Sequence, residues 1–184
     1  NGYEYKDVVV RGDLKNERFD GFIEVIDPNL EMEFSGIFDF TNEEPFFNFS
    51  AIVEKARLDQ LNLYRKDSLP ELSFTVRTNF TGNDLDNFKG EIYLWDALYR
   101  NSETQASIEE LSMNSYTEDE IDFMMLESSV ADISLNGKFT FITLLNNLQK
   151  FVSHYHPSLP IEFDESNVED NFDFEIKLKD TKEL

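Results

Sequence analysis

The residues with types suited to acid–base or metal chemistry are His154, His156 and 38 aspartates and glutamates, in a chain of 184 residues without cysteine. At that density carboxylate pairs arise by chance at any spacing, so Glu43-Glu44, Glu109-Glu110 and Asp164-Glu165 carry no signal for a general acid and base. Glu118-Asp119-Glu120 is the densest acidic run. It lacks the glycine and alternating oxygen spacing of a calcium loop, which leaves only loose cation binding at a surface. His154 and His156 flank Tyr155 where a predicted helix ends, and a helix C-terminus favours partial protonation of imidazole. With no third ligand nearby, a zinc site is the weaker reading. Without cysteine there is no disulfide, thiolate nucleophile or Cys-ligated metal. Gly-rich phosphate loops, G-x-S-x-G and H-E-x-x-H are also absent. The expectation is a protein with no catalytic residues, no cofactor and no metal.

Charge narrows the partners. Sixteen Lys and Arg leave a formal net charge of −22, which repels phosphate backbones and anionic membrane surfaces, so no nucleic-acid partner is expected. Eighteen Phe, seven Tyr and one Trp supply a large aromatic surface, which excludes a disordered acidic tail. No run approaches the roughly 18 apolar residues of a membrane-spanning helix. The start at Tyr3-Glu4-Tyr5-Lys6-Asp7-Val8 reads as a piece excised from a longer protein.

The elements that would position an apolar function follow from period. Phe19, Gly21, Ile23 and Val25 alternate with Arg18, Asp20 and Glu24, the pattern of a half-buried strand. Met32, Phe34, Phe38 and Phe40 alternate with Glu31, Glu33, Ser35 and Asp39, and Asp27-Pro28-Asn29 marks the turn between the two strands. Further alternation places Phe47, Phe49, Ala51 and Val53 on one face, then Leu72, Phe74, Val76 and Phe80, then Phe88, Ile92 and Leu94. Ile121, Phe123 and Met125 form another set, as do Ile133 with Leu135, and Phe172, Phe174, Ile176 and Leu178. Eight strands are a minimum.

Two stretches break the alternation. Residues 56–63 space Leu58 and Leu61 three apart and predict a short helical turn. Residues 139–155 place Phe141, Leu145, Leu148, Val152 and Tyr155 at three- and four-residue spacings, an amphipathic helix of about four turns that Pro157 and Pro160 end. That stripe is too apolar to stand in water, so the helix is expected to cap one end of the sheet.

An apolar-x-Gly step recurs at Phe19/Gly21, Phe34/Gly36, Phe80/Gly82, Phe88/Gly90 and Leu135/Gly137. Glycine within a strand marks a bulge or bend, and its constant distance from the aromatic suggests one long sheet bent in the same way at successive strands. Tyr93 and Trp95 fall on the face opposite Ile92 and Leu94, where burial under a loop or helix is favoured over ligand stacking. Asn48-Phe49-Ser50 and Asn79-Phe80-Thr81 match the glycosylation sequon, but strand alternation accounts for both.

The segment from Phe19-Asp20-Gly21-Phe22 to Phe34-Ser35-Gly36-Ile37-Phe38-Asp39-Phe40 resembles the TamB branch of the AsmA-like family, particularly its Bacteroidota members. So do Phe46-Phe47-Asn48-Phe49, Ala56-Arg57-Leu58-Asp59-Gln60-Leu61, Asn79-Phe80-Thr81-Gly82-Asn83 and the helix ending in Tyr155-His156-Pro157. The likeness covers roughly residues 12–160. It implies a segment of a very long cell-envelope protein, in the periplasm and anchored in the inner membrane by a part outside this sequence. The family's elongated curved sheet, the β-taco, has an apolar concave face and is associated with phospholipid transport and outer-membrane protein assembly. The membrane anchor and the C-terminal region that contacts an outer-membrane barrel assembly protein have no counterpart here.

The combined expectation is a mainly β fold. Residues 1–184 form one fragment of a longer β-rich repeat region, an elongated curved trough with one helix, and 161–184 begin a further strand or repeat. The strand residues from Phe19 to Leu135 line a groove for lipid acyl chains, and the Phe141-to-Tyr155 helix caps it. The competing expectation is a scaffold whose strand edges pair with another β-chain during outer-membrane protein assembly.

Overall fold

In the computed structural model, residues 2–84, 87–129, 131–139 and 171–179 are described. Among them ten strands follow one another: β1 (Val8–Lys15), β2 (Arg18–Asp27), β3 (Leu30–Asp39), β4 (Phe46–Arg57), β5 (Glu71–Thr81), β6 (Lys89–Arg100), β7 (Gln105–Glu118), β8 (Ile121–Ser128), β9 (Ala131–Lys138) and β10 (Asn171–Leu178). Each pairs antiparallel with its neighbours in sequence, giving a single sheet in the order β1 to β10. β1 and β10 do not pair with each other, so the sheet is open.

Hairpin chemistry explains the serial order. Asn16 and Glu17 join β1 to β2 with φ of 48° and 61°, and Asp119 and Glu120 join β7 to β8 with 51° and 64°. Two successive left-handed residues make the turn whose twist matches that of the flanking strands, and Asn or Asp leads it at least strain. The acidic run Glu118-Asp119-Glu120 is therefore a hairpin tip.

Register fixes the two faces, because directly opposed residues of an antiparallel ladder share one side. Leu14, Phe19, Phe38, Phe47, Phe80, Gly90, Ser115, Met124, Leu135 and Phe174 stand opposite one another in succession across all ten strands. Two residues along lies a second complete row: Gly12, Gly21, Gly36, Phe49, Thr78, Ile92, Met113, Leu126, Ile133 and Ile176. Beyond it run Val10, Ile23, Phe34, Ala51, Val76, Leu94 and Leu111, then Val8, Val25, Met32, Val53 and Phe74. The opposite face is polar, with Arg11, Phe22, Ser35, Ser50, Arg77 and Tyr93 in one row.

At three of the recurring glycines the neighbouring strand leaves no room for a side chain. The cross-strand partner of Gly36 is Phe49 and that of Gly90 is Phe80. A Cβ on Gly36 would lie 2.3 Å from the Asn48 carbonyl oxygen and 2.4 Å from Phe49 Cα, and one on Gly90 would lie 2.2 Å from the Asn79 carbonyl oxygen. Their φ values of 152° and 138° suit only glycine. At Gly36, Gly90 and Gly137 the glycine thus stands opposite a phenylalanine, whereas Gly21 stands between Gly12 and Gly36.

Several expectations need correction. β1 and β7 were not legible as strands. Residues 56–63 are not a helical turn: Ala56 and Arg57 end β4, and residues 58–62 form a turn with one helix-type bond, Leu61 N–H to the Arg57 carbonyl at 3.0 Å. Left-handed backbone at Asn62, φ 59°, stops it. Its Leu58 and Leu61 are three apart because a loop is pinned onto the sheet by both. The expected helix, with Phe141, Leu145, Leu148, Val152 and Tyr155, lies outside the described residues, as do His154 and His156. Phe139 itself is described, and its ring meets Phe172 edge-on at 5.9 Å. Within the 161–184 segment, β10 pairs with β9 in the same sheet.

Candidate functional site

The apolar face is the largest coherent chemical feature of the described residues. At about 4.8 Å between strands its ten-strand rows span roughly 43 Å, and four rows about 6.8 Å apart cover roughly 20 Å along the strands. Its centre is an aromatic cluster. Phe34 is 5% exposed, with ring centroids of Phe38 at 4.7 Å and Phe49 at 5.1 Å. Phe47 stacks on Phe80 at 4.7 Å, and Phe80 meets Phe88 at 4.9 Å. Offset and tilted pairs at these distances add to the gain from area alone. The polar interruptions are satisfied: Thr78, buried on this face, donates its hydroxyl to the Glu91 carbonyl at 2.9 Å.

Of the residues expected to line a groove, register places Phe19, Ile23, Val25, Met32, Phe34 and Phe38 on this face, with Phe47, Phe49, Phe74, Val76 and Phe80 beside them. Ile92, Leu94, Ile133 and Leu135 continue it. Phe40 falls just past β3, its ring 5.6 Å from Phe47. Phe123 is a correction. It pairs with Tyr116 and Asn136 on the polar face, stacked on Tyr116 at 5.0 Å, while Met124 and Leu126 take the apolar side. Phe123, Met124, Met125 and Leu126 are consecutive and all apolar, so alternation could not fix the phase there.

Sequence reasoning missed Val10 and Leu14, and it read Phe174, Ile176 and Leu178 as one strand face without adding them to the groove. Val10, Leu14, Phe174, Ile176 and Leu178 carry the apolar face to both open edges, and they are exposed at 58, 79, 60, 42 and 79%. The Val8-Val9-Val10 run hid the period of β1. In β7, Leu111 opposes Leu94 whereas Ala106 opposes Tyr99, an odd step on each strand beside Asp96, whose φ of 50° is left-handed. The alternation therefore changes phase within β7.

One end of the face is closed by irregular chain. Leu61, 1% exposed, packs with Val53 and Ala56, and Tyr3, Leu30, Met32, Leu58 and Phe74 surround them. Tyr3 donates its hydroxyl to Asp27, whose other oxygen accepts the Lys6 amide at 2.9 Å, while the Asn29 amide donates to Asp27 at 2.8 Å. Burial pushes the Asp27 carboxyl up, but these hydrogen bonds outweigh it and hold the group below the ordinary carboxylate value. The same bond to Asp27 first, then burial, raises the Tyr3 hydroxyl. Asp67 secures the β4–β5 loop, accepting from Tyr99, Asn101 and Tyr64, and these bonds, Tyr99 foremost, lower its carboxyl.

The polar face holds two local clusters. Arg77 lies over both Tyr93 and Trp95, at 5.4 and 5.5 Å from their centroids, with the two rings stacked at 6.0 Å. Among the described residues, the Arg77 side chain lies over the pair. Arg57 and Arg100 share Glu71 at 3.6 and 2.5 Å, beside a cavity of about 420 Å³ that reaches Asn29, Gln60, Leu69 and Ser102. Among the described residues no group of three or more His, Asp or Glu is placed to hold a metal. No helix among them is long and apolar enough to cross a membrane. No family model, curated protein or solved structure matches the chain.

Proposed function

We propose that the apolar face is a section of a curved trough in which lipid acyl chains lie, part of an envelope protein that conducts lipid through the periplasm. The observation that carries this reading is the pair of complete ten-strand rows on one face, with no second sheet or helix laid over them among the described residues. An amphipathic sheet normally buries its apolar side against another layer. A phospholipid acyl chain spans about half of a roughly 30 Å hydrocarbon core, so it is shorter than the two complete rows, which run roughly 43 Å across the ten strands. Each methylene removed from water contributes about 0.8 kcal/mol without any directional contact, which suits a face with few polar groups. The polar side and the charge of −22 keep the outer surface in water.

Photo-crosslinking tests the reading. A probe at Phe38, within the aromatic rows, captures lipid when the protein is labelled in a cell envelope. Capture of protein at Phe38 and of nothing lipidic would refute it.

A second reading, a scaffold for outer-membrane protein assembly by edge pairing, is favoured by the exposed apolar margins of β1 and β10. Strand edges left unpaired are templates for further β-structure. It differs in where capture occurs: probes at Arg11 or Glu175 would trap protein while Phe38 stayed silent.

A further inference from the structure

The cavity at the ends of β4, β5 and β6 is lined by charges that cancel. Register sets Arg57 opposite Glu71 and Glu71 opposite Arg100, so the three side chains share one face. Asp59 completes the charged lining, and two guanidiniums against two carboxylates sum to zero. Asp67, bound to Asn101, and Glu103, which follows Ser102, add negative charge beside it. A bare anion therefore gains little in this cavity, and a bare cation meets both arginines.

The donors are nonetheless available and their surroundings are fixed. Among the described residues the one ion pair of Arg57 is with Glu71 at 3.6 Å, too long for a hydrogen bond. Arg100 commits only Nη2, to Glu71 at 2.5 Å, so most N–H groups of both forks are unused. Backbone hydrogen bonds hold the walls: the Arg57 amide donates to the Asn29 carbonyl, the Leu58 amide to Pro70 and the Ser102 amide to Ser68, each at 2.9 Å. Gln60 donates to Asp59 at 2.9 Å and keeps its carboxyl below the ordinary value, hence ionised at neutral pH. A volume of about 420 Å³ lies within the range of small-molecule sites.

We propose that this cavity binds a small zwitterion, an oxyanion joined to a primary ammonium by a short apolar linker, of which phosphoethanolamine is a simple case. The phosphate takes the unused donors of Arg57 and Arg100 as charge-assisted hydrogen bonds, the ammonium takes Asp59, and the linker lies against Leu69. Balanced charge then becomes the basis of selection, because only a ligand carrying both signs satisfies both halves of the lining. The site is independent of what occupies the apolar face: in one turn Asp59 and Gln60 line the cavity while Leu58 and Leu61 pack into the apolar cluster.

Nitrogen-15 NMR titration of the full chain with phosphoethanolamine tests it. The Arg57 and Arg100 side-chain Nε–H signals and the Ser102 amide shift together and saturate, while inorganic phosphate and ethanolamine, each alone, bind about tenfold or more weakly. Arg57→Gln weakens phosphoethanolamine about tenfold. Asp59→Asn weakens it as well but leaves inorganic phosphate no weaker, a charge signature that a general loss of structure would not produce, and circular dichroism melting checks that each variant is folded. Phosphatidylethanolamine vesicles that displace the free compound assign the site to a lipid headgroup, and vesicles that leave it bound assign it to a soluble zwitterion. Absence of saturable shifts, inorganic phosphate binding as tightly as phosphoethanolamine, or undiminished binding by a folded Arg57→Gln variant would each overturn the proposal.

Discussion

Leu61→Ala tests whether the β4–β5 loop is a packed seal on the apolar face. Leu61 is 1% exposed and sits against Val53 and Ala56, with Leu58 and Phe74 beside them. Removing three carbons forfeits about 2.4 kcal/mol at about 0.8 kcal/mol per methylene. The cavity left behind adds to this unless the loop collapses into it. Collapse is restrained at both ends: Pro70 is fully buried, and Asp67 accepts from Tyr99 and Asn101. The total should therefore fall at about 3 to 4 kcal/mol, in the upper part of the range for buried leucines. Urea unfolding reads it as a lower midpoint at unchanged slope. Leu63→Ala is the internal control, because Leu63 is 59% exposed and should change stability by less than about 0.5 kcal/mol. A Leu61→Ala cost below about 1 kcal/mol, or one equal to that of Leu63→Ala, would refute the packed seal.

Gly36→Ala should cost about 2 to 4 kcal/mol, because the new Cβ meets backbone atoms of Asn48 and Phe49 at 2.3 and 2.4 Å; thermal melting measures it. The Tyr3–Asp27 anchor has two pH limits. Asp27 is lowered, so its contribution is complete above the ordinary carboxylate value and is lost as pH falls through the lower folded value; Tyr3 is raised, so its contribution is complete below the ordinary phenol value and is lost as pH rises through the higher folded one. The Lys6 amide resonance should report the acid limit, and Asp27→Asn should abolish it. Arg77→Ala should shift Trp95 fluorescence while costing no more than about 1 kcal/mol, the range of an exposed cation–π contact.

Alternation made the sheet readable where polar and apolar residues are cleanly interleaved. Phe19 to Val25 and Met32 to Phe38 had one possible phase, and register bears out their common face. It failed where both phases are apolar, as in Phe123 to Leu126, and where the phase changes mid-strand, as in β7. Leu58 and Leu61 misled for a different reason: local spacing describes a helix and a loop stapled onto an apolar surface equally well. The closed end of the face was not readable at all, because Tyr3 reaches Asp27 across 24 residues and only the meander brings them together. That Leu14 and Leu178 are the most accessible of the margin residues was not readable, because exposure depends on which strands are edges, a property of topology.

Lipid content measured directly in the purified protein bears most closely on the trough. Protein extracted gently from an envelope and examined by native mass spectrometry should carry phospholipid on the wild-type chain. Leu14→Glu and Ile176→Glu should deplete it without changing the melting temperature, since both residues lie on exposed margins of the apolar face. Phe34→Glu is a poorer probe, because a charge among packed rings unfolds the sheet. Lipid-free wild-type protein, or lipid retained undiminished when charge is placed at both margins, would contradict the assignment of the apolar face to acyl chains.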